Sequence, residues 1–397
     1  MTKVPLVLST FLEEKDTLHA LAQFVSGATM LSMGEHCLHF EETFASFQGR
    51  RYAVLFNSGA SANLALLQAL KNKGNLQNND KVGFSAVTWS TNPMPIIQLG
   101  MEPIAIDCDR FTLNTSSNNL RKCLDETSLT ALFITNALGF CSDLDRIASI
   151  CKEMNIILLE DNCESLGSEL GGMKLGNFGL ASTFSFYVSH HISTIEGGMV
   201  CTDDEGLAMI LKLVRANGWD RNLSERERWN LRTLFEINSD LDAKYTFYDL
   251  GFNLRPTEIT GFLGLRQLGH LPASVLRRQT NFYRMASAIA SNKDFLPIQS
   301  RHLSTCSAFA IPVLCREKTL RQHYCDRFER AGVEIRPLIA GNIQKQPFYK
   351  KYVKSLCELP EADFIHDCGF YCGNHPDYSE EQLSIIENCL KPLELKP

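Results

Sequence analysis

The chain reads as an α/β protein, with a large domain on a mostly parallel, helix-flanked central sheet and a smaller C-terminal α+β domain. Three observations predict it. Apolar runs such as Tyr52–Phe56, Leu129–Thr135 and Ile156–Leu159 have the near-continuous hydrophobicity of strands buried on both faces. Helical patterns such as Leu64–Leu70 and Leu144–Met154 separate such runs, at the spacing of crossover helices over a parallel sheet. A long helical pattern from Glu258 to Leu271, with Pro272 beyond it, then leads into shorter mixed segments. This sets a large domain at 1–257 and a small one at 258–397.

Composition narrows the function classes. A chain of 397 residues that is 44% hydrophobic and 21% charged is long enough for a sizeable core. Its formal charge of −6 offers no basic footprint, which speaks against nucleic acid or an anionic membrane as partner. The fourteen cysteines are scattered without a Cys-x-x-Cys pair, the closest spacing being Cys368 to Cys372. Most sit in or beside apolar runs, so they read as buried reduced thiols in a cytoplasmic protein, not as disulfides or metal ligands. The short stretch before Glu13-Glu14-Lys15-Asp16 is too soon charged for a signal peptide, and no run approaches a membrane span.

Taken in order, residues 17–48 hold two helical patterns, with Leu18, Leu21, Phe24 and Val25 in the first and Phe40, Phe44 and Phe47 in the second. The strand Tyr52–Phe56 ends in Asn57-Ser58-Gly59-Ala60-Ser61-Ala62-Asn63, which opens a helix. Small residues there let backbone N–H groups at Gly59 and Ala60 approach a phosphate, although an ordinary βα turn has the same look. A further strand, Lys81–Ser85, runs into a loop carrying Trp89, and Pro103–Ile106 and Leu129–Thr135 follow as strands.

The central stretch is Ile156 to Gly198. Its first strand delivers Asp161 and Glu164 at its C-terminal end, the edge where open α/β sheets bind ligands; a helix N-cap is the competing reading. Thr183-Phe184-Ser185-Phe186 then leads to His190-His191 and Glu196-Gly197-Gly198. Residues 204–215 form a helix ending in Arg215-Ala216-Asn217-Gly218, and the polar segment Asp220–Asp242 has the makings of a mobile loop. Phe309–Leu314 reads as a strand and Tyr324–Ala331 as a helix.

Ser185-Phe186, Glu196-Gly197-Gly198, Gly251-Phe252-Asn253-Leu254-Arg255 and Arg336-Pro337 with Gly341-Asn342 together resemble one family. It is the DegT/DnrJ/EryC1/StrS aminotransferase family, the sugar-nucleotide branch of the fold-type I pyridoxal-phosphate enzymes. The resemblance spans nearly the whole chain. It implies that the backbone around Gly59 and Ala60 and the Ser185 side chain hold the cofactor phosphate. It also implies that Trp89 stacks on the pyridine ring, that Asp161 faces the ring nitrogen and that Glu164 lies near the ring hydroxyl. Asn253 would reach the phosphate in a neighbouring subunit, making a homodimer with shared active sites.

One departure decides the chemistry that the resemblance implies. Where the family carries the lysine that bonds the cofactor, this chain has His190, five residues after Ser185. An imidazole moves protons but cannot take that covalent link. The sequence thus looks like the family's pyridoxamine-phosphate-dependent sugar 3-dehydratases. Such an enzyme removes the C3 hydroxyl of a nucleotide-linked 4-keto-6-deoxyhexose, with L-glutamate regenerating pyridoxamine phosphate and His190 as base and acid. A related dehydratase uses a [2Fe–2S] cluster and a Cys-x-Cys pair; this chain has no such pair, so no cluster is expected. Two alternatives stand beside this reading: an aminotransferase-like enzyme holding its cofactor non-covalently, and a catalytically silent relative that binds sugar nucleotide or cofactor. Lys174, the nearest lysine, is expected in an exposed, solvated hairpin. Only one of His190 and His191 is expected to face the site, because adjacent side chains of an extended loop point opposite ways.

Overall fold

The computed structural model describes residues 2–393. The first strands are β1 (Tyr52–Phe56), β2 (Lys81–Ser85), β3 (Glu102–Ile106), β4 (Ala131–Thr135) and β5 (Ile157–Asp161). A hairpin of β6 (Glu169–Leu170) and β7 (Met173–Lys174) precedes β8 (Ala181–Ser185) and β9 (Gly198–Thr202). Seven of these form the central sheet in the order β1-β9-β8-β5-β4-β2-β3. Only β9 runs against the others, pairing antiparallel with both β1 and β8. Strands β4 and β8 are buried at every position, as expected for a sheet covered on both faces.

The helices that cover it follow from their caps. Ser58 caps the helix Gly59–Asn72, its hydroxyl accepting from the Ser61 N–H, and Asp204 caps Glu205–Arg215 by accepting from the Leu207 N–H. These two helices pack together over β1 and β9. Arg215, fully buried, donates to Glu41 (2.5 Å) and to the Leu55 carbonyl (2.7 Å), so it ties the end of its helix to Glu35–Gln48 and β1.

The helical pattern at 258–271 corresponds to two helices. Glu258–Leu268 ends at Gly269, and Leu271–Ser291 starts anew with Pro272 in its first turn, where a missing N–H costs nothing. The first of these packs on Glu35–Gln48, and Glu258 accepts from the N–H groups of Gly34, His36 and Cys37. Beyond them, β10 (Phe295–Leu296), β11 (Leu303–Thr305), β12 (Ala310–Cys315), β13 (Ile335–Pro337) and β14 (Gly369–Gly373) complete the strands. The order β10-β12-β14-β13 makes an antiparallel sheet, while β11 joins the hairpin. The segment expected as a mobile loop holds the short 3-10 helix Asp220–Asn222, the helix Glu225–Leu234 and the start of the helix Asp240–Ala243, and leaves Trp229 and Leu241 exposed. All fourteen cysteines are free thiols, and no helix among the described residues is long and apolar enough to cross a membrane.

Candidate active site

A cavity of about 710 Å³ opens at the C-terminal edge of the parallel strands. Gly59, Ala60, Trp89, Asp161, Glu164, Ser185 and His190 all line it. Its far wall comes from beyond the central sheet, with Phe309, Arg336 and Tyr371, and the N-terminal residues Ser9 to Leu12 border it as well.

Asp161 ends β5 and is 4% exposed. Its Oδ2 accepts from the side-chain amides of Asn63 (3.0 Å) and Asn92 (2.9 Å), and its Oδ1 from the Cys163 N–H (3.0 Å). Asn92 is oriented in turn by the Thr88 hydroxyl, which donates to its Oδ1 at 2.8 Å. Three neutral donors thus hold a buried carboxylate with no cation against it. Sequence reasoning missed both asparagines. One sits a turn inside a helix and the other in a loop, and neither position carries a readable signal.

Beside Asp161, the helix Gly59–Asn72 points its N-terminus at the cavity. A Cβ at Gly59 would lie 2.5 Å from the Ser185 Cβ, so only glycine lets this turn close against β8. Gly198 faces the Ser58 carbonyl just as tightly. Free N–H groups, a helix N-terminus and the Ser185 hydroxyl form a pocket suited to an anion. Trp89 presents a 58% exposed ring to the same cavity.

Glu164 accepts from the Leu138 N–H at 2.9 Å. Burial nevertheless pushes its carboxyl up to about 7, with the Asp161 charge adding to the rise against that N–H. Half of it is therefore protonated near neutrality, which lets it donate as well as accept.

Both histidines line the cavity, against the expectation that only one would face it, because the loop is not extended there. Residues 187–190 make a turn in which the His190 N–H donates to the Tyr187 carbonyl at 2.8 Å. His190 is half-buried on the cavity wall, its ring edge-on to Tyr187 and Phe309. Desolvation lowers it to about 4, opposed by Asp161 and the Ser185 carbonyl and reinforced by Arg278. The ring is neutral at working pH and can accept a proton. His191 is 1% exposed and donates from Nε2 to the Ser307 carbonyl at 2.9 Å.

Two expectations fall elsewhere. Lys174 is not solvated: its ammonium is half-buried, lies 3.9 Å over the Phe47 ring and donates to the Phe47 carbonyl. It does not line the cavity, and neither does any other lysine among the described residues. Asn253 is exposed, bridged through its backbone to Ala216, and stands outside the cavity of its own chain.

A sheet with one reversed strand, carrying a carboxylate at a strand tip beside a glycine-opened helix N-terminus, defines a fold-type I cofactor enzyme. The chain belongs to the DegT/DnrJ/EryC1/StrS aminotransferase family, which matches residues 12–391. It is 34% identical to the GDP-4-keto-6-deoxy-D-mannose 3-dehydratase of Yersinia pseudotuberculosis, over 98% of this chain and 99% of that protein. Two solved structures superpose with a TM-score of 0.89 at 31% identity, covering 98% of this chain and all of theirs. One is a GDP-4-keto-6-deoxymannose-3-dehydratase with a trapped PLP-glutamate geminal diamine, the other the E. coli enzyme with bound hydrated PLP.

Proposed function

We propose that this chain is a pyridoxamine-phosphate-dependent 3-dehydratase of a nucleotide-linked 4-keto-6-deoxyhexose, releasing a 4-keto-3,6-dideoxy sugar. One observation carries it: the cavity that holds Asp161 contains His190 and no lysine among its described lining residues. The residues fit the cofactor. The carboxylate of Asp161 has its protein-side positions filled by three donors, leaving lone-pair capacity towards the cavity, and the Gly59 cradle admits backbone close to a phosphate.

Gly59, Ala60 and Ser185 would hold the phosphate, Trp89 the ring face, Asp161 the protonated ring nitrogen and Glu164 the ring hydroxyl. When bound, the cofactor supplies an electron sink for the carbanion that C–O cleavage requires. His190 takes up a proton as base and returns one to the departing C3 hydroxyl oxygen as acid, both with one ring. A lysine could redeliver a proton to sugar C4 and yield an amino sugar; an imidazole without a covalent hold leaves elimination as the outcome. L-Glutamate as donor fits the adduct described for the relative. Asn253, exposed on its own chain, is free to serve the second subunit of a homodimer. The free thiols suit a reducing cytoplasm.

The test is mass spectrometry of product after incubation with pyridoxal phosphate, glutamate and GDP-, CDP-, dTDP- and UDP-4-keto-6-deoxyhexoses. A product one oxygen lighter than substrate is expected. Conversion of the carbonyl to an amine would refute dehydration. Cofactor binding without turnover of any sugar would instead favour the silent relative. His190→Lys should let borohydride fix the cofactor to the protein and should abolish dehydration; persistence at the wild-type rate would remove His190 as the base.

A further inference from the structure

Behind the catalytic wall, three successive carbonyls are each held by a different side chain. His191 Nε2 donates to Ser307, Asn374 Nδ2 to Ala308 (2.8 Å) and Arg278 Nη1 to Phe309 (3.1 Å). Arg278 also donates to the Asn374 carbonyl at 2.8 Å, and Asn374 returns a bond to the Arg278 carbonyl at 3.0 Å. The Phe309 ring packs edge-on against His190 with centroids 5.5 Å apart, and lies tilted against His191 at 6.1 Å.

Arg278 is 4% exposed and still touches the cavity. Its Nε has no partner, and among the described residues no carboxylate pairs with it; Asp377 is taken by Arg277. A buried, unneutralised guanidinium is costly, and hydrophobic packing of Phe309 alone would not require one. The charge acts on the imidazoles around it.

Resting on the reading of His190 as the base, we propose that Arg278 is a positioning residue for the dehydration. It fixes the Phe309 backbone so that its ring packs against His190, and it sets an uncompensated cation behind the same wall. The charged and titratable groups around His190 are Asp161 at the tip of β5, Arg278 on the helix Leu271–Ser291, and Tyr187 and His191 on its own turn. Burial does most to keep the ring neutral; Asp161 and the Ser185 carbonyl oppose it, and Arg278 reinforces it. His191 adds no charge, since its Nε2 carries the proton to Ser307 and burial keeps the ring neutral.

The experiment is the pH profile of kcat and KM for dehydration by the holoenzyme. Arg278→Met should move the acid limb of kcat up by about one pH unit with little change in KM, while Arg278→Lys should leave the limb in place. An unmoved limb in a folded Arg278→Met enzyme, or an equal shift in Arg278→Lys, would overturn the proposal. If Arg278→Met fails to fold, Arg278→Gln decides by the same limb, because its amide can still donate to a carbonyl but carries no charge; an unmoved limb in that variant overturns the proposal. A His190→Asn enzyme that retains full activity defeats the reading of His190 itself. An inactive one with an unmoved Arg278→Met limb defeats only the role of Arg278.

Discussion

Replacing Asp161 with asparagine removes one charge and turns one acceptor into a donor, in a set where every neighbour already donates. If the new amide nitrogen takes the Oδ2 position, it meets the amides of Asn63 and Asn92; if it takes the Oδ1 position, it meets the Cys163 N–H. The second choice is cheaper because only one donor is opposed. Each buried polar group left without a partner costs about 1–3 kcal/mol, so the variant should lose about 2–3 kcal/mol of stability in urea unfolding without ligand. Asn63→Leu should lose less in the Asp161→Asn background than in wild type, and a coupling of about 1 kcal/mol in the double-mutant cycle would report their contact. Titration by cofactor fluorescence should show affinity down about tenfold or more, since the anion that favours a protonated ring is gone. Weaker cofactor binding at unchanged stability would refute the argument from opposed donors. If neither changed, Asp161 would not belong to the site.

Glu164→Gln should change stability in a pH-dependent way. The wild-type carboxyl sits near 7 in the fold and 4.5 as an ordinary group, so the folded state loses stability as pH rises from about 4.5 to 7. The amide keeps an acceptor for Leu138 and carries no charge; the variant should match wild type at pH 4 and exceed it by up to about 3 kcal/mol at pH 8, read by urea midpoints. No gain at pH 8 would mean that the carboxylate is not buried at a cost. At limiting cofactor, mixing Asp161→Asn with Asn253→Ala should raise activity above that of either variant alone, towards about a quarter of wild type, because random dimers then contain one intact shared site in every four. No recovery after subunit exchange would place Asn253 in its own subunit's chemistry or outside it.

The apolar runs of β1, β4 and β5 were legible because strands buried on both faces leave nothing but hydrophobic residues to read. Asp161 was legible at the tip of such a run, where chain direction carries it to the sheet's edge, whereas His190 was legible only through the family resemblance, as the residue in the lysine's place. Asn63, Asn92 and Arg278 were not, since each depends on contacts between segments far apart in sequence. Pro272 misled because proline both stops a helix and starts one, and only the break at Gly269 distinguishes the two. The solvated hairpin expected for Lys174 overlooked Phe47, on whose ring and carbonyl the lysine settles.

The turn that carries His190 is stitched by bonds that do not use its side chain. Phe186 donates to Gly197, Thr194 to Phe186 and Ile195 to the Ser193 hydroxyl, while β8 and β9 clamp both ends. The backbone is thus indifferent to what residue 190 is. A substitution there leaves these bonds in place, as a tool is changed in a fixed holder, without renegotiating the fold.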